Sequence, residues 1–190
     1  MGTSTSKTFL ITVPHGYCPE STVRICDRNA YNAATILRTE LIKRGANVVF
    51  IHNDNVLRST VDMNRLESRK EEYEFRQNIT KQLNILPRDT IVLDIHSYPD
   101  IDHFNNREMA ILNVTKEYRH TLTNWVENMY QFLKDKGISV GLFQGSLIND
   151  IVYQALWEFG FRAVLLEFWE NDINENIQYK INIICDYLFL

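Results

Sequence analysis

The chain has 190 residues, 45% of them hydrophobic and 23% charged, and carries a formal net charge of −4. Those values suit one ordinary globular domain with a substantial core. They exclude a basic nucleic-acid-binding face, since no Lys/Arg cluster stands out, and no apolar run approaches the roughly 18 residues of a membrane span.

Residues 1–6, Met-Gly-Thr-Ser-Thr-Ser, are polar and lack the apolar core of a signal peptide, so they are expected to be a disordered leader before a single domain over 7–190. The first strand covers about 8–13, and Pro14 stops it at His15-Gly16. After a loop of about ten residues, Ala30, Ala33, Ala34, Leu37 and Leu41 recur at helical spacing, which predicts a helix over about 27–43 with Asp27 as its cap and Gly45 as its stop. The second strand is Asn47 to His52, followed by an irregular loop over 53–65 and a charge-rich helix over about 67–84. The third strand, Thr90 to Tyr98, rises through apolar and β-branched residues to Asp94 and ends in His96-Ser97-Tyr98. A long surface loop over 99–107 precedes a strand at 109–113, a helix at about 116–136 and a strand at 138–143. A helix at about 149–159, a strand ending at Glu167 and a helix at about 173–187 complete the chain. Strands alternating with helices predict one three-layer α/β domain with a mixed, largely parallel sheet.

The three cysteines, Cys18, Cys26 and Cys185, are odd in number and show no CxxC spacing. Neither a disulfide framework nor a cysteine zinc site is expected, and a reducing, cytoplasmic setting is the default.

His15 and His96 both stand where an apolar strand stops. Either alone is commonly a structural hydrogen-bonder; together they can ligate zinc, whose catalytic sites take three protein ligands and a water. The third ligand must then be a carboxylate, either Glu20 in the loop or Asp27 at the helix start, and a helix N-terminus holds Asp27 in a fixed place. Glu167 lies between Val164-Leu165-Leu166 and Phe168-Trp169; such neighbours should raise its pKa and suit it to general-base work near neutrality. Arg65 can clamp a carboxylate with its planar fork, with Arg58 a weaker candidate. Asp94, two residues before His96 on a strand, faces the same side. His52, His103 and His120 read as surface or loop residues, and the Glu67-to-Arg76 charges as a solvated helix face. Ser97 has no GxSxG setting, and neither a P-loop nor a GxGxxG is present.

Taken in order, Pro14-His15-Gly16, Asp27, Val61-Asp62-Met63-Asn64-Arg65, Asp94-Ile95-His96-Ser97 and Leu166-Glu167 resemble the N-formylglutamate amidohydrolase family, which is similar in fold to the zinc carboxypeptidases. Asn64-Arg65 and His96-Ser97-Tyr98 match the carboxypeptidase pattern closely, and the resemblance spans about 9–168. It implies a phosphorylase/hydrolase-like α/β fold and a single Zn2+ held by His15, Asp27 and His96. Glu167 would be the general base and proton shuttle, and Arg65 with Asn64 would bind a carboxylate on a small N-acyl amino acid or short peptide. The carboxypeptidase HxxE spacing is absent, because position 18 is Cys18, so the acidic ligand stays open between Asp27 and Glu20. A metallocarboxypeptidase, a cell-wall-peptide amidase, or a binding protein that kept the fold and lost turnover are the alternatives.

Overall fold

A computed structural model describes residues 6–19, 26–99, 105–114, 121–145 and 149–190. Its strands are β1 (Thr8–Val13), β2 (Asn47–His52), β3 (Ile91–Tyr98), β4 (Met109–Val114), β5 (Val140–Gly145) and β6 (Arg162–Trp169). They form one sheet in the order β2-β1-β3-β6-β4-β5. Neighbours run parallel except β4 and β6, which pair antiparallel.

Every residue of β1 and β3 is buried, as a strand covered on both faces requires, which is why Phe9-Leu10-Ile11 and Ile91-Val92-Leu93 read as apolar on both faces before the polar residues of the site begin. Side-chain alternation divides the core in two. Phe9, Ile11, Leu93, Ile95, Val164 and Leu166 pack under α1 (Ala30–Lys43), α3 (Thr121–Asp135) and α5 (Asn174–Leu188). Leu10, Val92, Ala163 and Leu165 pack under α2 (Glu74–Ile85) and α4 (Asp150–Tyr153). Thr12, Asp94, His96 and Glu167 continue the second set toward the strands' C-terminal ends, so the polar site grows out of that layer. No helix among the described residues is long and apolar enough to cross a membrane.

Several expectations shift in detail. Ser6, the last residue of the expected leader, already docks on the fold, its hydroxyl donating to the Gly45 carbonyl at 2.6 Å. The charge-rich helix divides into a 3-10 turn, Leu66–Arg69, and α2. The segment after position 149 is one turn of α-helix that widens into a π turn over Gln154–Glu158. β6 runs two residues past Glu167.

Of the Glu67-to-Arg76 charges, Glu67, Lys70, Glu71, Glu72 and Glu74 are exposed as expected, and Arg69 and Arg76 depart from the solvated reading. Arg76 is fully buried and, with Arg69, holds the carboxylate of Asp150 at 2.6–2.8 Å. The partner lies 74 residues beyond Arg76, so no local charge pattern announces it.

Candidate functional site

Open parallel sheets place ligands beyond the C-terminal ends of their strands. His15 follows β1, while His96 and Glu167 lie within β3 and β6. Glu167 is the register partner of His96, so the two side chains share one face of the sheet. Asp27 arrives from the turn before α1, not as the cap of that helix. The cap position belongs to Asn29, and the Asp27 N–H donates to the His15 carbonyl at 3.1 Å. That bond closes the loop that leaves β1.

The same closure corrects the reading of the cysteines. Cys18 and Cys26 form a disulfide across it, with Cα atoms 5.4 Å apart, inside the bridging range. Eight residues of separation match no familiar cysteine spacing; the bridge becomes possible because the chain must return to His15. Cys185 is the free, buried thiol.

His15, Asp27 and His96 are all buried, and one ligand atom from each lies within 4.8 Å of the others. Both histidines turn Nδ1 to the same oxygen, Asp27 Oδ2, at 3.3 Å from His15 and 2.9 Å from His96. Their other nitrogens face carboxylates: His15 Nε2 lies 2.6 Å from Asp62, and His96 Nε2 lies 3.0 Å from Asp94. Asp94 is held in turn by the Thr12 hydroxyl at 2.7 Å and the Asn64 amide at 3.1 Å.

A neutral imidazole donates through one nitrogen and accepts through the other. With Nε2–H turned to Asp62 and Asp94, both Nδ1 lone pairs point at the carboxylate of Asp27. Three lone pairs facing one another need a cation among them, or two extra protons. Two imidazoles and a carboxylate are a zinc-ligand set, and ligating histidines usually donate their second N–H to a carboxylate. Neighbouring ligands of tetrahedral zinc stand roughly 3.3 Å apart, given bonds near 2.05 Å. The donor set fits zinc.

Charge follows the same logic. Burial opposes ionisation of Asp27 and Asp62, but hydrogen bonds and charge from the histidines prevail and hold both carboxyls well below the usual range. Burial likewise opposes the His96 cation, yet Asp94 and Asp27 push its pKa well above the ordinary value.

Glu167 is the contrast. Burial lifts its pKa to about 7; His96 and Arg58 pull it down, while Asp27 and Asp94 push it up. Among the described residues no hydrogen bond or ion pair ties its carboxylate.

The arginines divide differently from expectation. Arg65 pairs with Asp62 at 3.3 Å, its side chain 32% exposed. Arg58, the weaker candidate in the sequence, reaches further in and donates to Asp27 Oδ1 at 3.1 Å. Asn64 is buried; its amide donates to Asp94 and approaches His96 Nε2 at 3.1 Å, and its oxygen accepts the Ile151 N–H at 3.1 Å. It therefore supports His96 from behind. Asp62 was missed as a site residue, although it opens the Asp62-Met63-Asn64-Arg65 run, and its side chain accepts the Asn64 N–H at 2.9 Å. His52 is half-buried at the end of β2 with its ring against Tyr31. Glu20, His103 and His120 lie outside the described residues.

No family model matches the chain, and no curated protein matches its sequence. Solved structures do match its fold. A gene product of Agrobacterium tumefaciens is similar at a TM-score of 0.63 and 16% identity, over 95% of this chain and 90% of that one. The N-acetylmuramoyl-L-alanine amidase of Clostridium difficile 630 is similar at 0.60 and 13%, over 98% and 96%. The metallo-carboxypeptidase of Burkholderia cenocepacia is similar at 0.62 and 11%, over 98% of this chain and 57% of that one. The chain has a metallo-carboxypeptidase-like fold. That agrees with the fold that the sequence motifs imply, and it leaves the activity and any N-formylglutamate specificity as separate matters. In this fold the strand order puts β1, β3 and β6 side by side, and those strands carry or lead into His15, His96 and Glu167.

Proposed function

We propose that the protein is a zinc-dependent hydrolase of an amide bond in a small, carboxylate-bearing substrate, an N-acyl amino acid or a short peptide. The observation that carries this reading is the convergence of both Nδ1 atoms on Asp27 Oδ2, with a carboxylate behind each ring and an untethered Glu167 beside His96.

His15, Asp27 and His96 would hold the metal, which when bound supplies Lewis-acid polarisation of a carbonyl and acidification of a water. Glu167, with its pKa near 7, accepts the proton of the attacking water and passes it to the departing amine nitrogen. One carboxylate can do both because its affinity for the proton is close to balanced at neutral pH. Arg65 is exposed enough to exchange Asp62 for a substrate carboxylate and offers a planar fork to it. Arg58, ion-paired to Asp27, offers its guanidinium to the negative charge that develops on the carbonyl oxygen. Asp62, Asp94 and Asn64 fix the ring orientations.

N-formylglutamate is the substrate to which the sequence motifs point. The alternative already open in the sequence, a cell-wall peptide, is supported by the similar structures, which include an N-acetylmuramoyl-L-alanine amidase and a D,L-carboxypeptidase of Helicobacter pylori bound to mDAP.

Metal content of the purified protein tests the reading first, beside His15→Ala and His96→Ala. About one zinc per chain, lost in both variants, is the expected result, and a panel of formylglutamate, N-acetyl amino acids and short peptides then separates the substrates. A chain that takes up no zinc when zinc is supplied would sink the hydrolase and leave a binding protein of the same fold.

A further inference from the structure

Asn29 occupies the N-cap of α1 but does not cap it: its side chain makes no bond to the helix's own amides. An Asn at that position usually accepts from the N–H two or three residues on. Here its amide nitrogen turns away and donates to the turn that follows β6, at 2.7 Å to the Glu170 carbonyl and 3.4 Å to those of Trp169 and Asp172. Its backbone N–H donates to the Ser97 hydroxyl at 3.1 Å. The Ser97 hydroxyl donates to Glu170 Oε1 at 3.3 Å, and the same oxygen accepts the Arg28 N–H at 2.9 Å. Ser97 N–H, finally, points at Asp27 Oδ2 at 3.4 Å.

These bonds join three elements. Asp27, two residues before Asn29, belongs to the proposed metal-ligand set; Ser97 follows His96 on β3; the carbonyls that Asn29 binds lie at the end of, and just after, the strand that carries Glu167. Three backbone amides, one hydroxyl and one side-chain amide thus fasten the Asp27 turn to both neighbouring strands, and each is satisfied by a partner of the right kind. We infer that Asn29 is a positioning residue: it gives up the cap to lock the acidic ligand of the metal site against the strands of His96 and Glu167, with Ser97 and Glu170 as the other half of the clamp. This rests on the hydrolase reading for its purpose but not for its geometry.

The competing account is that Asn29 merely stabilises α1. Asn29→Ser separates the two, because Ser is as good a cap as Asn but too short to reach the β6 turn, and it adds no charge beside Asp27. The clamp predicts a melting temperature close to wild type together with zinc affinity weakened roughly tenfold in a chelator competition, the low end of the cost of losing a ligand's direct partner, since Asn29 holds Asp27 through the turn and not by a bond to its carboxylate. It also predicts that amide hydrogens of Arg28 and Asn29 exchange roughly tenfold faster or more in the metal-free variant. Asn29→Gln, which keeps a donor, should recover part of both effects. Unchanged zinc affinity and unchanged exchange in Asn29→Ser would overturn the proposal. If wild type takes up no zinc, the hydrolase reading fails by itself, and the exchange rates of the metal-free proteins still decide the clamp. Should Asn29→Ser fail to fold, Ser97→Ala removes the acceptor of the Asn29 N–H from the other side and is read by the same exchange.

Discussion

His96 and Glu167 are register partners on adjacent parallel strands, yet one is tied at both ring nitrogens and the other is tied by nothing among the described residues. A ligand needs a fixed direction, and a proton shuttle needs freedom to take a proton at one atom and release it at another. That division leads to the first expected outcome. Glu167→Gln should abolish amide turnover while leaving zinc bound at wild-type stoichiometry, measured by activity and metal analysis on the same preparation. Because burial holds the Glu167 pKa near 7, and only the ionised form accepts a proton, kcat/KM should fall about tenfold per pH unit on the acid side of that value. Retained turnover in the Gln variant would remove Glu167 from the mechanism.

The raised pKa also carries a stability consequence. The carboxyl is protonated up to about pH 7 in the fold but only up to its ordinary 4.5 in the unfolded chain. Between those values the folded state binds more protons, so rising pH costs stability through that window and nothing further above it. The full penalty is on the order of 3 kcal/mol. Metal-free Glu167→Gln, which has no charge to bury, should therefore melt well above wild type at pH 8 and close to it at pH 4.5. Equal melting temperatures at pH 8 would mean that the carboxylate is solvated in the fold.

Asp94 is fully buried and accepts from Thr12, Asn64 and the ring of His96. Asp94→Asn keeps the shape and removes the charge that turns His96 Nδ1 toward Asp27. Zinc affinity should drop roughly ten- to hundredfold, as for other outer-shell carboxylates, with helical content preserved in the far-ultraviolet spectrum. A zinc Kd equal to wild type would show that ring orientation is fixed by packing alone.

How much of this could be read from the sequence follows from the range of each interaction. Strand segments buried on both faces announce themselves as short apolar runs, such as Phe9-Leu10-Ile11, Ile91-Val92-Leu93 and Ala163-Val164-Leu165-Leu166, so β1, β3 and β6 were legible, and with them the edge where His15, His96 and Glu167 emerge. Period-two alternation placed Asp94 and His96 on one side for the same reason. What escaped depends on contacts between distant segments. Arg76 and Asp150 are 74 residues apart, so Arg76 looked like part of a solvated face. Asp27 was grouped with His15 and His96 from the motifs, but it also looked like the cap of α1, because the preference for Asp before a helix is local, and that position belongs to Asn29. Cys18 and Cys26 were close in sequence, but only the return of the loop to His15 brings them together. The support that Asn64 gives His96 was not announced either, because it rests on bonds to β3 and to Ile151 from distant segments.

Arg76 tests the buried half of that account. Its guanidinium is fully buried against Asp150 and also bonds Gln154 and the Met63 carbonyl. Arg76→Ala should lose about 3–5 kcal/mol in urea unfolding, since it leaves an uncompensated carboxylate in the core. Arg69 still reaches Asp150, which places the loss toward the lower end. Arg76→Met, similar in volume, should recover part of it. A change below about 0.5 kcal/mol for the Ala variant, typical of a surface site, would restore the solvated reading.

The disulfide makes the loop between His15 and Asp27 a closed ring. Removing such a cross-link frees the unfolded chain, and for a loop this short the loss is about 2–3 kcal/mol in the chain-entropy account. Cys18→Ser with Cys26→Ser should therefore lower the melting temperature, and dithiothreitol should do the same to wild type but not to the double variant. Mass spectrometry after alkylation of the unfolded, unreduced protein should find one modified thiol, Cys185, and three after reduction. The metal site should feel the change as well, because Cys26 directly precedes Asp27: zinc affinity should weaken when the ring is opened. Three alkylated thiols without reductant, in protein purified under air, would show that the bridge does not form and that the Asp27 turn is held by its hydrogen bonds alone.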